Sequence, residues 1–219
     1  MPEADRADRP PERLRLAVLI SGGGSTMFNL ADHVDRGELD AEIVLVLASN
    51  PKAGGIERAR QRGFDVDVVD RKRHDTPESF GLAVWPKVRA AGAELVVLAG
   101  FLSLLPIPED FEHRVVNIHP ALLPKFGGRG MFGRHVHAAV LDAGERESGC
   151  TVHFADNEYD HGPVILQRRC PVEPGDTPET LAARVQEAER RALPEAIQLI
   201  AAGRVRVDGE RVTILPPPP

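Results

Sequence analysis

The sequence predicts an α/β fold: a single domain on a mostly parallel, twisted sheet with helices on both faces, completed by a long helix and antiparallel strands near the C-terminus. Two observations lead to this prediction. Short apolar runs alternate along the chain with longer segments of helical periodicity. The runs are nearly continuously apolar, which is typical of parallel strands that are buried on both faces.

Five of these runs are predicted as strands, and helical patterns lie between them. The strands are expected at residues 16–20, 43–48, 66–69, 95–99 and 115–118. The helices are expected near residues 25–37, 54–63, 77–91 and 134–144. Because parallel neighbours require crossover connections, this order predicts a series of right-handed βαβ units.

The last part of the chain has a different pattern. Asp-Thr-Pro-Glu occurs at 75–78 and again at 176–179, and in both places threonine can cap a helix whose first residue is proline. The second of these starts opens a long helix over about 178–201. A hairpin is expected next, with strands near 205–207 and 212–215 around an Asp-Gly turn.

The ends of the chain read differently from its interior. Residues 1–12 are charged and rich in proline, and residues 216–219 are four prolines, so both are predicted to be disordered tails. No composition break divides the stretch between them. Residues 13–215 are therefore expected to form one domain.

Composition and charge limit the classes of function. The 219 residues carry 27 basic and 33 acidic side chains, a net charge of −6, which argues against a nucleic-acid partner. No apolar run reaches the ~20 residues that span a bilayer, and the N-terminus lacks a signal-peptide core. The two cysteines, Cys150 and Cys170, are too few for a disulfide framework. We expect a cytoplasmic protein, a monomer or a homodimer, without a membrane partner.

A glycine-rich loop lies between the first strand and the first helix. It reads Ser-Gly-Gly-Gly-Ser-Thr over residues 21–26. Glycines let the backbone approach a ligand, and the free N–H groups of a helix N-terminus attract phosphate. Met27 stands where a dinucleotide fingerprint has its third glycine, and no Gly-Lys-Ser follows, so a monophosphate fits best. The alternative is a tight turn without a ligand.

Asn117 and His119 lie near the end of the fifth strand. Period 2 places both side chains on the same side, at the carboxyl end where open α/β sheets bind ligands. An amide donor beside an imidazole suits the stabilisation of an oxyanion, and histidine can also move a proton. The alternative is a hydrogen-bonded core histidine.

A third motif, residues 148–165, is predicted as a strand, an acidic loop and a second strand. A carboxylate on such a loop can orient an imidazole, whereas the alternative is a solvated hairpin. His135 and His137 are two apart on a predicted helix, so their rings diverge and do not suggest a metal site. We therefore expect no metal.

Taken together, the motifs resemble the folate-dependent formyltransferases, and in particular the branch that acts on glycinamide ribonucleotide. The resemblance spans about residues 14–215. Five segments match in order, reading LISGGGS, VVLAGFLSLL, VVNIHPALLPKF, TVHFADNEYDHGPVILQ and ARVQEAE. The resemblance implies a Rossmann-like domain that transfers a formyl group from the co-substrate 10-formyltetrahydrofolate to the amine of 5'-phosphoribosylglycinamide.

The resemblance also implies site residues. Asn117, His119 and Asp160 would be catalytic: the first two stabilise the oxyanion, and Asp160 holds His119 charged and helps to relay a proton. Thr151 would hydrogen-bond within this network. Gly24, Ser25 and Thr26 would bind the phosphate and Glu189 the ribose hydroxyls. Besides Asn117, the residues implied for folate are Leu102, Ser103, Leu104, Leu105, Ala155, Asp156, Asn157, Glu158, Tyr159 and Asp160.

Three features depart from the family pattern, whereas Lys125 follows the HPALLP segment as it does in relatives. Thr26 replaces a frequent asparagine, and the usual folate-tail arginine is absent, with Arg71 and Arg73 as nearby candidates. Lys125 is a candidate for phosphate attraction or a surface charge. Residues 127–133 form a longer loop, a candidate lid with Arg129 as a substrate contact.

Three alternatives remain. A methionyl-tRNA formyltransferase would need a further C-terminal domain and a basic tRNA surface. A formyltetrahydrofolate deformylase would carry an N-terminal regulatory domain. A non-catalytic sugar-phosphate-binding protein would explain the glycine loop but leave Asn117, His119 and Asp160 without a role. We expect the transferase.

Overall fold

The structure, a computed structural model, describes residues 13–217. The strands are β1 (Leu14–Ile20), β2 (Ala41–Ala48), β3 (Val66–Val68), β4 (Leu95–Leu98), β5 (Val115–His119), β6 (Glu147–Phe154), β7 (Val164–Pro171), β8 (Val205–Asp208) and β9 (Arg211–Ile214). The helices are α1 (Ser25–Asp35), α2 (Gly55–Gln61), α3 (Pro77–Ala90), α4 (Arg134–Asp142) and α5 (Pro178–Ala201). The predicted tail at 1–12 and the last two residues of the tail at 216–219 lie outside the described residues.

The main sheet has seven strands in the order β3-β2-β1-β4-β5-β6-β7. Its first five strands are parallel, and β5–β6 and β6–β7 pair antiparallel. The hairpin β8–β9 forms a separate antiparallel sheet. The predicted fold class is confirmed, and the predicted strand bounds differ from the observed ones by one or two residues.

Both faces of the sheet are covered, which explains why its central strands are apolar throughout. On one face, Val18 and Ile20 of β1 pack in a cluster with residues of α1, α2 and α5. On the other face, Leu19 packs in a second cluster with Phe80 and Trp85 of α3. Successive residues of a strand point to opposite faces, so β1 contributes to both cores.

The two Thr-Pro helix starts form as the sequence predicts. Thr76 accepts a hydrogen bond from the backbone N–H of Ser79, and Thr177 accepts one from Thr180, each completing a capping box at a helix that begins with proline. These caps set the start of α3 and of α5. The position of α5 matters most for the site, because this helix forms one wall of the main cleft.

The strand order creates a crevice at the carboxyl end of the sheet. The chain passes from β1 outward to β2 and β3, then returns to β4 on the opposite side of β1. Ligands of open α/β sheets bind where the order reverses in this way. The loops after β1 and β4 meet there, since the Ser21 hydroxyl accepts a hydrogen bond from the Leu102 N–H at 3.1 Å.

Candidate active site

A cleft of about 840 Å³ opens at this reversal point. Residues predicted for catalysis and for ribonucleotide binding line it from three elements: Thr26 of α1, Asn117 and His119 of β5, and Glu189 of α5. Asp160, from the loop between β6 and β7, completes the set. Residues that are distant in the sequence thus surround one space large enough for a nucleotide-sized ligand.

His119 and Asp160 form a buried pair at the base of the cleft. The imidazole Nδ1 lies 3.2 Å from the Asp160 Oδ1, and the two side chains are 3% and 10% exposed. The Nε2 of the same ring lies 2.8 Å from the carbonyl oxygen of Phe126. Both ring nitrogens face acceptors, so the imidazolium form, which has two N–H donors, satisfies both contacts.

Asp160 is held from both sides of its carboxylate. Burial opposes its ionisation, yet the hydrogen bond and charge of His119, together with the Gly128 N–H at 2.9 Å, keep the pKa of this carboxyl below its usual value. Its backbone has a φ of 54°, which is uncommon for a residue other than glycine. A carboxylate that stays ionised beside an imidazole suits the orientation of that imidazole and the stabilisation of its charge.

Asn117 faces the same pair through its amide. Its Nδ2 lies 3.4 Å from the Asp160 Oδ1 and 3.1 Å from the Nε2 of His153 on β6. His153 belongs to the third sequence motif but was given no role there. The signal that points to it is cross-strand pairing, because β5 and β6 place Asn117 and His153 directly opposite each other.

The glycine loop leads into α1 as expected. Gly24 is the N-cap residue with a φ of 72°, a left-handed conformation that glycine adopts without strain, and Ser25 is the first residue of the helix. No side chain caps this helix start within the described residues. Thr26 lines the cleft itself, whereas Gly24 and Ser25 precede Thr26 in the sequence and do not line the cleft. The backbone N–H groups of the first turn are therefore available for an anion.

Glu189 lies across the cleft, on α5. Burial raises the pKa of its carboxyl to about 7, and the positive charge of His119 opposes that shift. The residue forms no ion pair shorter than 4 Å with the described part of the chain. Its carboxyl group can therefore accept hydrogen bonds from a ligand bound in the cleft.

The predicted folate-binding segments come together beside Asn117. Their members that line a narrow cavity of about 70 Å³ are Ser103, Leu104, Leu105, Ala155, Asp156, Glu158, Tyr159 and Asp160. Leu102 faces the larger cleft. Two hydrogen bonds join the segments: the Leu104 N–H donates to the Tyr159 hydroxyl at 3.2 Å, and the Ile107 N–H donates to Asn157 Oδ1 at 2.7 Å.

The four basic candidates for substrate contacts differ in whether they line a pocket. Arg71 and Arg129 line a second pocket of about 520 Å³ next to Leu102 and Tyr159, and Arg129 also lines the main cleft. Arg73 is 84% exposed and faces Asp70 at 3.7 Å. Lys125 forms an ion pair with Glu145 at 2.7 Å and lines neither pocket, which favours its interpretation as a surface charge.

Thr151 holds the loop after β5. Its hydroxyl donates to the Ala121 carbonyl at 2.7 Å and accepts from the Leu123 N–H and the Gln167 amide, both at 3.0 Å. The residue thus shapes the chain that leads from His119 to Phe126, without lining the cleft. Among residues 13–217, no three His, Cys, Asp or Glu side chains are grouped as a metal site would require, and no helix is long and apolar enough to cross a bilayer.

Comparison with known proteins extends this picture. The profile described as formyl transferase matches residues 14–197. A chloroplastic phosphoribosylglycinamide formyltransferase of Arabidopsis thaliana is 38% identical over 93% of this chain and 71% of its own length. A trifunctional purine biosynthetic protein adenosine-3 of Gallus gallus is 41% identical over 89% of this chain, which spans only 19% of that longer protein.

A solved structure shares this fold. Glycinamide ribonucleotide transformylase 1 from Symbiobacterium toebii superposes with a TM-score of 0.88 at 37% identity, covering 94% of this chain and 96% of its own. The matched region contains the cleft, the buried histidine–aspartate pair and the glycine loop. The chain belongs to the formyl transferase family.

Proposed function

We propose that this chain transfers the formyl group of 10-formyltetrahydrofolate to the amine of 5'-phosphoribosylglycinamide, giving formylglycinamide ribonucleotide and tetrahydrofolate. One observation carries the proposal: Asn117, His119 and Asp160 converge at the base of a cleft that also reaches the helix N-terminus at Thr26. Relatives and solved structures named for this activity support the choice of substrates.

The ribonucleotide is assigned to the larger cleft. Its phosphate would bind at the first turn of α1, with Gly24, Ser25 and Thr26, where N–H groups and the helix dipole favour an anion. Its ribose hydroxyls would donate to Glu189 on the opposite wall. This placement directs the glycinamide amine toward the base of the cleft, where His119 and Asp160 lie.

The folate is assigned to the neighbouring segments. Residues 102–105 and 155–160 would hold the pteridine, since members of both segments line the cavity beside Asn117. Asn117 lines both the cleft and this cavity, so it lies where the two substrates would meet. The formyl carbon would be placed within reach of the amine.

The reaction follows from that arrangement. The amine attacks the formyl carbon, a C–N bond forms, and the carbonyl oxygen becomes an oxyanion that the Asn117 N–H and the protonated His119 stabilise. Asp160 keeps His119 charged. It also takes part in a relay through water that carries the proton released by the amine to N10 of the folate. The bond from carbon to N10 then breaks and tetrahydrofolate leaves. Every step uses residues of this chain and no metal.

The proposal places no nucleic acid and no membrane among the partners. The net charge of −6 and pI of about 5.8 suit small-molecule substrates better than a polyanion. We propose a cytoplasmic location. Both a monomer and a homodimer are compatible with the activity, because all proposed site residues lie on one chain.

A spectrophotometric assay of 10-formyltetrahydrofolate conversion tests the proposal. Conversion is expected only when glycinamide ribonucleotide is present, with formylation of the ribonucleotide confirmed by mass spectrometry. Equal conversion without the ribonucleotide would identify a deformylase instead. Binding of the ribonucleotide by folded protein, with no conversion in either case, would support a sugar-phosphate-binding protein and overturn the proposal.

A further inference from the structure

His153 is a buried histidine directly behind Asn117. It lies on β6, opposite Asn117 in the antiparallel pair β5–β6, and is 1% exposed. Both ring nitrogens have partners: Nδ1 lies 2.9 Å from the backbone oxygen of Phe154, and Nε2 lies 3.1 Å from the Asn117 Nδ2. The proposed mechanism assigns no role to this residue.

These partners determine the tautomer of the ring. A backbone carbonyl only accepts hydrogen bonds, so the Nδ1 of His153 must carry the proton that it donates to Phe154. An amide NH₂ only donates, so Nε2 must be unprotonated to accept from Asn117. The neutral ring with its proton on Nδ1 satisfies both contacts, and the charged ring would lose the second one.

Burial favours the same neutral state. The loss of water around His153 lowers the pKa of the imidazole below its usual value, and the charge of His119 acts in the same direction. The backbone of Phe154, the nearby Asp160 carboxylate and the backbone of His161 oppose this lowering of the pKa only in part. His153 therefore differs from His119, both of whose ring nitrogens face oxygen acceptors.

The Asp160 carboxylate, which can only accept, determines which way the Asn117 amide points, and the neutral ring of His153 agrees with that orientation. Two acceptors, His153 Nε2 and Asp160 Oδ1, face the same end of that amide, so this end must be the NH₂. The reversed amide would direct its oxygen at the Asp160 carboxylate and at the lone pair of His153. An oxyanion needs a donor already aimed at it, because reorientation during the reaction costs free energy.

We propose that His153 is a positioning residue: its neutral Nε2 accepts one N–H of the Asn117 amide, so that the other N–H, which makes only a long 3.4 Å contact with Asp160, can donate to the oxyanion. The inference rests on the proposed function, because it assigns Asn117 the role of oxyanion donor. It adds a residue that borders the cavity assigned to the folate and that we expect to act on the reaction through Asn117. Removal of the outer partners that orient metal ligands usually costs roughly 10- to 100-fold in metal affinity or activity, and we expect a loss of similar size here.

The first test needs no activity. Nitrogen-15 NMR of the imidazole rings of the wild-type protein at pH 7 reports which nitrogen of each histidine carries a proton. We expect a neutral His153 with a protonated Nδ1 and a bare Nε2, assigned by loss of the signals in His153→Gln. A His153 that is charged, or protonated on Nε2, would overturn the proposal.

The second test compares two substitutions at the same position. His153→Gln can present its side-chain oxygen where Nε2 was, whereas His153→Leu has no acceptor. We expect His153→Leu to lower kcat roughly 10- to 100-fold with KM for the ribonucleotide within about twofold, and His153→Gln to recover most of kcat. Val152→Ala, at a buried neighbour on the same strand, controls for lost stability and should keep kcat.

The third test is a double-mutant cycle with Asn117→Ala. If His153 acts through Asn117, adding His153→Leu to Asn117→Ala should lower kcat by less than about twofold further. Independent, additive losses would show that His153 has only a structural role and would overturn the proposal. The wild-type assay comes first: an inactive wild type contradicts the proposed function, whereas an active one with unimpaired His153→Leu contradicts only the inference.

Discussion

The His119 imidazole and the Asp160 carboxylate lie 3.2 Å apart, although one ends strand β5 and the other lies in the loop between β6 and β7. Backbone groups of the loop after β5 form hydrogen bonds with both side chains. The Phe126 carbonyl oxygen lies next to His119 Nε2, and the Gly128 N–H donates to the Asp160 carboxylate. The same loop thus holds both members of the pair, and its Gly128 also lines the cleft. Such a buried pair cannot lose one member without leaving the other unsatisfied.

The first prediction concerns this pair. His119→Ala and Asp160→Asn should each lower kcat at least ~100-fold, because the first removes the donor to the oxyanion and the second removes the carboxylate charge that faces the imidazole Nδ1. Steady-state kinetics with both substrates measure the loss, and circular dichroism verifies the fold. Near-wild-type turnover in either folded variant would contradict the catalytic assignment.

The second prediction concerns the pH dependence of Glu189, whose pKa burial raises to about 7. A carboxyl with a higher pKa in the folded than in the unfolded state stabilises the fold fully below its unfolded pKa of ~4.3, and this contribution is lost as pH rises through 7. Glu189→Gln should therefore raise Tm relative to wild type at pH 8, with the gain disappearing near pH 4. Thermal melts across this range provide the measurement.

Ionisation of the same carboxyl, which lowers the stability of the fold, should improve the binding of the ribonucleotide. The ionised form accepts hydrogen bonds from two hydroxyls better than the acid does, so KM for the ribonucleotide should rise in wild type as pH falls below about 7. In Glu189→Gln, KM should be high at every pH. A pH-independent KM in wild type would argue against the ribose assignment.

The third prediction distinguishes Arg71 from Arg73. Arg71 lines the pocket beside Leu102 and Tyr159, whereas Arg73 is almost fully exposed. An arginine at that pocket suits a carboxylate on the folate tail, so Arg71→Ala should raise KM for the folate roughly 10- to 150-fold, which corresponds to one charge-assisted hydrogen bond of roughly 1.5–3 kcal/mol. Arg73→Ala is the matched control and should leave KM unchanged. Equal effects of the two variants would contradict this assignment.

The fourth prediction concerns the loop at 127–133. Arg129 lines both the main cleft and the second pocket, while Lys125 pairs with Glu145 away from both. Arg129→Ala should raise KM for the ribonucleotide, and Lys125→Ala should not, because only the first charge faces the cleft. Kinetics at several salt concentrations measure both effects. An unchanged KM in Arg129→Ala would remove this residue from the substrate contacts.

The fifth prediction compares two glycines with similar backbones. Gly24 and Gly37 have φ of 72° and 69°, so an alanine at either position costs about 1–2 kcal/mol of strain. Only Gly24 begins the proposed phosphate site. Gly24→Ala should therefore raise KM for the ribonucleotide in addition to lowering Tm, whereas Gly37→Ala should lower Tm alone. Isothermal titration with the ribonucleotide and thermal melts separate the two effects.

Much of the fold could be predicted because its signals are local in the sequence. The apolar runs of β1 and β4 show which segments are buried, and the two Thr-Pro boxes show where α3 and α5 begin. The family, the fold class and the transferase activity were also predicted, and the comparisons confirm them. The division into one domain with two tails stays a prediction.

The site was predictable only as a set of residue types. Asn117 and His119 share one strand, so period 2 placed them on the same side. His153 was missed because its partner lies on another strand, and β6 is so thoroughly buried that no alternation marks its inner face. The two roles of Lys125 could not be separated in the sequence, because its ion-pair partner Glu145 follows α4.

The sequence by itself therefore determined the strands, the helix caps, the glycine loop and the chemical groups that the chain can bring to a reaction. Only the tertiary structure decided which of those groups meet: the pairing of β5 with β6 placed His153 behind Asn117, and the loop after β6 brought Asp160 to His119. The physical reason is one of range. Secondary structure depends on neighbours along the chain, whereas distances of 3 Å between side chains depend on how separate elements pack.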